Sequence, residues 1–288
     1  MTIKTILVPI NTAEISRSTL EVAMHLARKF GAHIDALHVR ADPRGLVPYT
    51  GEGMDGSMIE EIMEVTEREG SERATKSKEF FDEFCAQNAL EVSDQPHAGP
   101  TPTIAWKTEI GREDEVVALL GRLYDLIVIG RSVRDAPLPS PITLEAALLD
   151  TGRPIVVAPP EALPGVGNRI AIAWEASPEA GRAIADAMPM LEAADSVVLL
   201  APEQGQVAPI APEEMISRLA WHGVDATIQH FDAGLTELGA AFLAEAGKAN
   251  ADLLVKGAYS QSRLRQLILG GRTRHILART RIPVLLSH

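Results

Sequence analysis

The residues with the most chemical promise lie between Gly257 and Thr273, in the run GAYSQSRLRQLILGGRT, which follows the apolar run DLLVK directly. Gly257 permits a sharp turn and a close approach of backbone to a ligand. Ser260 adds a hydroxyl. Gly270 and Gly271 open the last helical pattern, where free N–H groups and the helix dipole favour an anion. The charges agree. From residue 253 to the C-terminus there is no Asp or Glu, and Lys256 with six arginines gives that segment +7, whereas the whole chain carries −12 and the rest therefore −19. A basic, glycine-bearing turn in an acidic protein is a candidate phosphate site. The bland alternative is that the glycines end elements and the arginines solvate a helix.

Other chemistry is thin. Gly51-Glu52-Gly53-Met54-Asp55-Gly56 matches the dinucleotide fingerprint letter by letter, but no convincing strand precedes it, and its two carboxylates would repel a pyrophosphate. There is no G-x-S-x-G nucleophile elbow and no H-E-x-x-H. The eight histidines show no ligand spacing, so no metal site is expected. Glu60 with Glu61, and Glu113 with Glu115, lie in helical runs as solvated faces, Glu113 and Asp114 also suiting a helix start. Trp174 beside Glu175 suits either the wall of an adenine pocket or plain packing. No catalytic residue is assigned. The single cysteine, Cys85, falls in a helical pattern near Phe81 and Phe84 and is expected to be a buried thiol.

These residues need a frame. The chain has 288 residues, 46% apolar and 23% charged, which fits a folded protein of two domains. Aromatics are only 4%, so Ala, Val, Ile and Leu must build the core, as suits parallel strands buried on both faces. The acidic balance speaks against nucleic acid and against anionic membrane surfaces. No apolar run is long enough to span a bilayer, and MTIKTILVPIN lacks the pattern of a secretory leader. A cytoplasmic location is expected.

Internal repeats supply the plan. ILVPIN (6–11) resembles IAIAWE (170–175), DLIVIG (125–130) resembles DLLVKG (252–257), and RPIVVAP (153–159) resembles RIPVLLSH (281–288), all in the same order. The chain is a tandem duplication, with expected domains at 1–160 and 166–288 and a seam in EALPGVGN (161–168). The first copy carries extra chain in its middle, and much of the excess is expected in the Pro- and Gly-bearing loop 41–57. Strands are expected near 3–10, 33–39, 102–108, 124–129 and 154–158, and again near 169–174, 196–201, 225–231, 252–256 and 282–287, with helices between, including a long amphipathic one over 58–86. Alternation of this kind gives a doubly wound parallel α/β sheet in each half, with ligands beyond the carboxyl ends of the strands.

The Gly257–Arg274 stretch resembles the nucleotide loop of the universal stress protein family, G-x2-G-x9-G-(S/T), in the variant ending G-G-x-T-R. Gly257, Ser260, Gly270, Gly271, Arg272, Thr273 and Arg274 follow that spacing. ILVPIN and IAIAWEASPEAGRAI resemble the family's first strand and helix, and RIPVLLSH its last strand, so the resemblance covers nearly the whole chain. It implies two tandem Rossmann-like (adenine nucleotide alpha hydrolase-like) domains, each with five parallel strands in the order 3-2-1-4-5 and helices on both faces. It also implies that the two last strands meet antiparallel at the sheet edges. The nucleotide-binding residues implied are Ala173, Trp174, Glu175, Leu200, Gly257, Ser260, Gly270, Gly271, Arg272 and Thr273, taking ATP or AMP, with Mg2+ optional. Ser260 stands where the family has a second glycine. The family's acidic residue after the first strand is Glu175 in the second half and Asn11 in the first. In the first half, GRSVRDAPLPSPITLEAALL (130–149) keeps only Gly130 of the loop, so that half is degenerate.

Three functions fit. The leading one is a stress-response sensor or regulator that binds an adenine nucleotide in its second half. A scaffold without nucleotide is the second, and a slow ATP hydrolase, needing Thr273 for its metal, the third. The sequence leaves the oligomeric state open, a homodimer included.

Overall fold

A computed structural model of the chain describes residues 2–11, 13–42, 56–96, 99–131, 141–161, 164–203, 210–234, 237–258 and 271–288, with the backbone alone at 13–15, 56–59, 62 and 271–272. The first half runs β1 (Thr5–Pro9), α1 (Ala13–Phe30), β2 (His33–Arg40), α2 (Gly56–Gln87), β3 (Glu91–Val92), β4 (Thr103–Ile110), α3 (Glu113–Leu120), β5 (Leu126–Gly130), α4 (Pro141–Leu149) and β6 (Ile155–Ala158). The second runs β7 (Arg169–Ala173), α5 (Pro178–Glu192), β8 (Ser196–Pro202), α6 (Pro212–Ala220), β9 (Ala226–Phe231), α7 (Leu238–Lys248), β10 (Leu253–Gly257), α8 (Gly271–Arg279) and β11 (Val284–Ser287).

All the strands form one eleven-stranded sheet in the order β3-β4-β2-β1-β5-β6-β11-β10-β7-β8-β9. Within each half the main strands run third, second, first, fourth, fifth, and all are parallel. The halves join where β11 pairs antiparallel with β6, with Val284 opposite Val157 and Leu286 opposite Ile155. Each half thus covers the apolar edge of the other, which removes two exposed ladders. Along β1 the side chains alternate, Ile6 and Val8 entering one core layer with α1, α2 and α5, and Leu7 entering the other with α4, α7 and α8. That period of two is why the strands read as unbroken apolar runs.

Much of the extra chain of the first half lies in the long helix expected over 58–86. α2 has 32 residues, whereas its counterpart α6 has nine. It packs through Phe80, Phe81 and Phe84, so its length is tied to burial and not to a loop. Cys85 sits beside them, and burial pushes its thiol up to about 11. The fingerprint look-alike ends at Gly56, with residues 51–55 outside the described residues.

The repeated Asp in DLIVIG and DLLVKG has one task in both halves. Asp125 Oδ2 accepts from the Lys4 and Thr5 N–H groups at 2.8 and 3.0 Å. Asp252 Oδ1 accepts from the Gly167, Asn168 and Arg169 N–H groups at 2.8, 2.9 and 3.0 Å. Each carboxylate therefore satisfies backbone donors where its half's first strand begins. The halves are also tied by side chains. Lys29 of α1 donates to the Gly167 carbonyl, and Arg131 after β5 donates to the Leu277 and Thr280 carbonyls at 2.8 and 3.1 Å. A guanidinium there complements the negative end of α8.

One buried charge cluster braces the first half at the amino ends of its strands. Asp35 accepts from the Tyr124 hydroxyl at 2.7 Å, pairs with Lys107 Nζ at 2.8 Å, and lies 3.1 Å from His33 Nε2. Burial pushes this carboxyl up, but the donors His33, Lys107 and Tyr124 outweigh it and hold it at about 2 instead of 3.8. A lowered folded-state value means stability that is present above the ordinary value and lost as pH falls from about 4 through about 2, worth about 2 kcal/mol in all. Urea unfolding of Asp35→Asn is therefore expected to show a flatter decline over that window than the parent. An unchanged decline would mean that Asp35 is not the group responsible.

Candidate functional site

Three neighbouring strands bring the expected residues of the second half together. Ala173 at the end of β7 stands opposite Lys256 on β10 and Leu200 on β8, in one row across the sheet. Trp174 continues the row, its N–H donating to the Leu200 carbonyl at 3.1 Å. Beyond it the chain turns. Ala176 takes a φ of 50°, a region that costs a non-glycine residue about 1 kcal/mol. Ser177 then caps α5, its Oγ accepting from the Ala180 N–H at 3.1 Å, with Pro178 in the first turn.

The dominant feature of this row is an ion pair. Lys256 Nζ lies 2.6 Å from Glu175 Oε2 and donates to the Gly257 carbonyl at 3.0 Å. The lysine is only 4% exposed. A charge so far from water survives only with a partner in hydrogen-bond contact. Glu175, the acidic residue expected to meet the adenosine end of a nucleotide, is therefore held beside a cation. The sequence reading counted Lys256 only as part of a basic segment. The available signal was a lysine in an otherwise apolar buried strand, where the first half has Ile129.

Gly257 is needed for close approach, and the close neighbour is the protein itself. A Cβ there would lie 2.4 Å from the Ala180 nitrogen and 2.5 Å from the Glu179 carbonyl carbon, both backbone atoms of the first turn of α5. Nearby, the indole Nε1 of Trp174 is buried with no hydrogen-bond partner, as is Glu179 Oε2.

The remaining expected residues divide. Thr273 in the first turn of α8 is buried, as is Thr143 at the same place in α4. Gly271 and Arg272 form the start of α8, whose first turn has no acidic residue, and their side chains are not described. Ser260 and Gly270 lie outside the described residues.

The first half arranges the equivalent residues differently. Asn11, in the position of Glu175, donates to both carboxylate oxygens of Glu113 at 3.0 Å, and its carbonyl accepts from Ser77 of α2 at 2.6 Å. Burial pushes the Glu113 carboxyl up, against the Asn11 bond. His38 stacks on Trp106 at 5.6 Å, and Phe81 of α2 packs on the same indole at 5.3 Å. The long helix thus fills the end of this sheet with side chains. The proline-laden stretch 132–140 lies outside the described residues. Among the described residues there is no cluster able to hold a metal ion and no helix long and apolar enough to cross a membrane.

Comparison with known proteins places this architecture. The structure of a universal stress protein from Archaeoglobus fulgidus superimposes with a TM-score of 0.65 at 18% identity, covering 98% of this chain and 95% of that one. A functionally unknown protein from Pseudomonas aeruginosa PAO1 gives 0.55 at 17% identity, covering 99% and 92%. Such identities show a shared fold, over both halves. No curated protein matches the chain. The sequence profile of the universal stress protein family matches residues 2–138. These residues thus match the universal stress protein family, and both halves share the fold of the solved structures.

Proposed function

We propose that the second half binds an adenine nucleotide, ATP or AMP, beyond the carboxyl ends of β7 and β10, and that the protein acts as a nucleotide-responsive regulator in a stress response. The observation that carries this reading is the pairing of two ends. β10 stops at Gly257, where the family-like loop begins, and α8 starts at Gly271, where it finishes, with no acidic residue in its first turn. Free N–H groups at that helix start suit a phosphate. The unpartnered Trp174 indole N–H is a further donor at the same strand end. Lys256 neutralises Glu175, so the row presents no bare carboxylate to an anionic ligand.

The residues present do not suit a protein-held Mg2+. No carboxylate follows Asp252, and Thr273, the hydroxyl that a hydrolase would need, is buried. Binding without turnover is the better reading. Mass spectrometry of small molecules released from the purified protein tests it. An adenine nucleotide near one per chain is expected, and its absence, together with failure to take up added ATP or AMP, favours the scaffold reading.

A further inference from the structure

We propose that the second half contains a binding site for a small neutral phenol, in a cavity that the first half fills with its own tyrosine. The site opens at the amino ends of β7, β8 and β9.

The duplication makes the comparison residue by residue. Asp125 and Asp252 are equivalent, so Tyr124 corresponds to Ala251. β1 pairs with β2 through Thr5 and His33, and β7 with β8 through Arg169 and Ser196, so Asp35 corresponds to Val198. Leu37 pairs with Lys107, and Leu200 with Gln229, so those two partners correspond. In the first half the Tyr124 side chain reaches across β1. Its hydroxyl donates to Asp35 at 2.7 Å, and Lys107 Nζ lies 3.4 Å from the hydroxyl and 6.0 Å from the ring centre. In the second half the tyrosine is an alanine, and a cavity of about 260 Å3 lies there instead, lined among others by Arg169, Ser196, Val198, Thr227, Gln229 and Ala251.

Size and polarity select the ligand. At about 30 Å3 per water, the cavity holds roughly nine waters, and it is smaller than the roughly 300–1,000 Å3 of drug-sized pockets. A single ring fits. Val198 and Ala251 give it an apolar wall. Gln229 spends its Nε2 on Glu245, which leaves its Oε1 as the acceptor. A phenol O–H would donate to that oxygen as Tyr124 donates to Asp35. Val198 and Gln229 remove both charges that Asp35 and Lys107 supply in the first half, and the lining Arg169 spends its Nε on the Asn250 carbonyl at 2.6 Å, so the acceptor oxygen of Gln229 selects a neutral O–H donor over an anion. Ser196 and Thr227 are exposed, so the cavity opens to solvent at their end.

The test is a 15N-resolved NMR titration of the full chain with phenol. Saturable shifts at Val198, Thr227, Gln229 and Ala251 are expected, with a Kd on the order of 1 mM, as a ligand of so few atoms allows. Ala251→Tyr should restore the arrangement of the first half and weaken phenol binding at least tenfold. Val198→Phe, which fills the wall from the other side, should do the same and serves if the first variant does not fold. Three results would overturn the proposal: no saturable shifts at these residues up to about 20 mM phenol, unchanged affinity in both variants, or tighter binding of benzoate than of phenol.

Discussion

Lys256→Met is expected to destabilise the protein by about 3–5 kcal/mol, because it leaves Glu175 as a buried carboxylate without its cation. The pair is close, at 2.6 Å, and both side chains are largely shielded, at 5% and 15% exposure, so solvent screening offsets little of the effect. Removing both charges should be far milder. The Lys256→Met/Glu175→Leu double variant is expected to lie within about 1–2 kcal/mol of the parent, since buried ion pairs exchanged for apolar groups of similar volume are often near neutral. The first half is a natural precedent, with Ile129 and Asn11 at the same two places and a different partner for the asparagine. Urea unfolding of the parent, the two single variants and the double variant measures the coupling directly. Single effects that simply add in the double variant would show that the pair carries no interaction.

Gly257→Ala is expected to cost about 3 kcal/mol or more, the upper part of the range for overpacking. The added Cβ would meet three backbone atoms of α5 within 3.0 Å, and backbone in a capped first turn has no rotamer with which to yield. α5 would have to move off β10, and it packs on both β10 and β11, so the loss should reach the interface between the halves. By contrast Gly181→Ala, whose Cβ would meet nothing within 4 Å, should be neutral or slightly stabilising in its helix. Thermal unfolding of both variants separates a steric role for Gly257 from mere loop flexibility. A Tm near that of the parent for Gly257→Ala would show that the close approach is not enforced.

Much of the frame was legible because it is written locally. β5 and β10 each fall between an Asp that gathers N–H groups and a Gly at the strand end. Their ends agree with the structure to within one or two residues. The antiparallel meeting of β6 and β11 followed from the family resemblance and from the need to cover two apolar edges. What escaped was non-local or unpatterned. Glu175 and Lys256 are 81 residues apart, and nothing in either neighbourhood names the other. The two-residue β3 has no room for a period. Pro and Gly draw attention to the loop 41–57, whereas the described part of the excess is the charged, 32-residue α2, whose buried face is concentrated near its end. Gly257 was read as making room for a ligand, and the glycine signal was right, but the backbone it accommodates is that of α5.

Nucleotide is expected to bind in one half only, at the start of α8. Isothermal calorimetry with ATP and AMP tests it on three proteins: the parent, Gly271→Asp and Ile142→Asp. Gly271 opens α8, so an aspartate there puts a like charge against a phosphate. Ile142 lies in the first turn of α4, is 55% exposed, and accepts an aspartate without burying it. One binding site per chain is expected in the parent, with affinity reduced at least tenfold in Gly271→Asp, equivalent to about 1.4 kcal/mol, and unchanged in Ile142→Asp. No binding heat with either nucleotide in the parent, or equal losses in the two variants, would contradict the account.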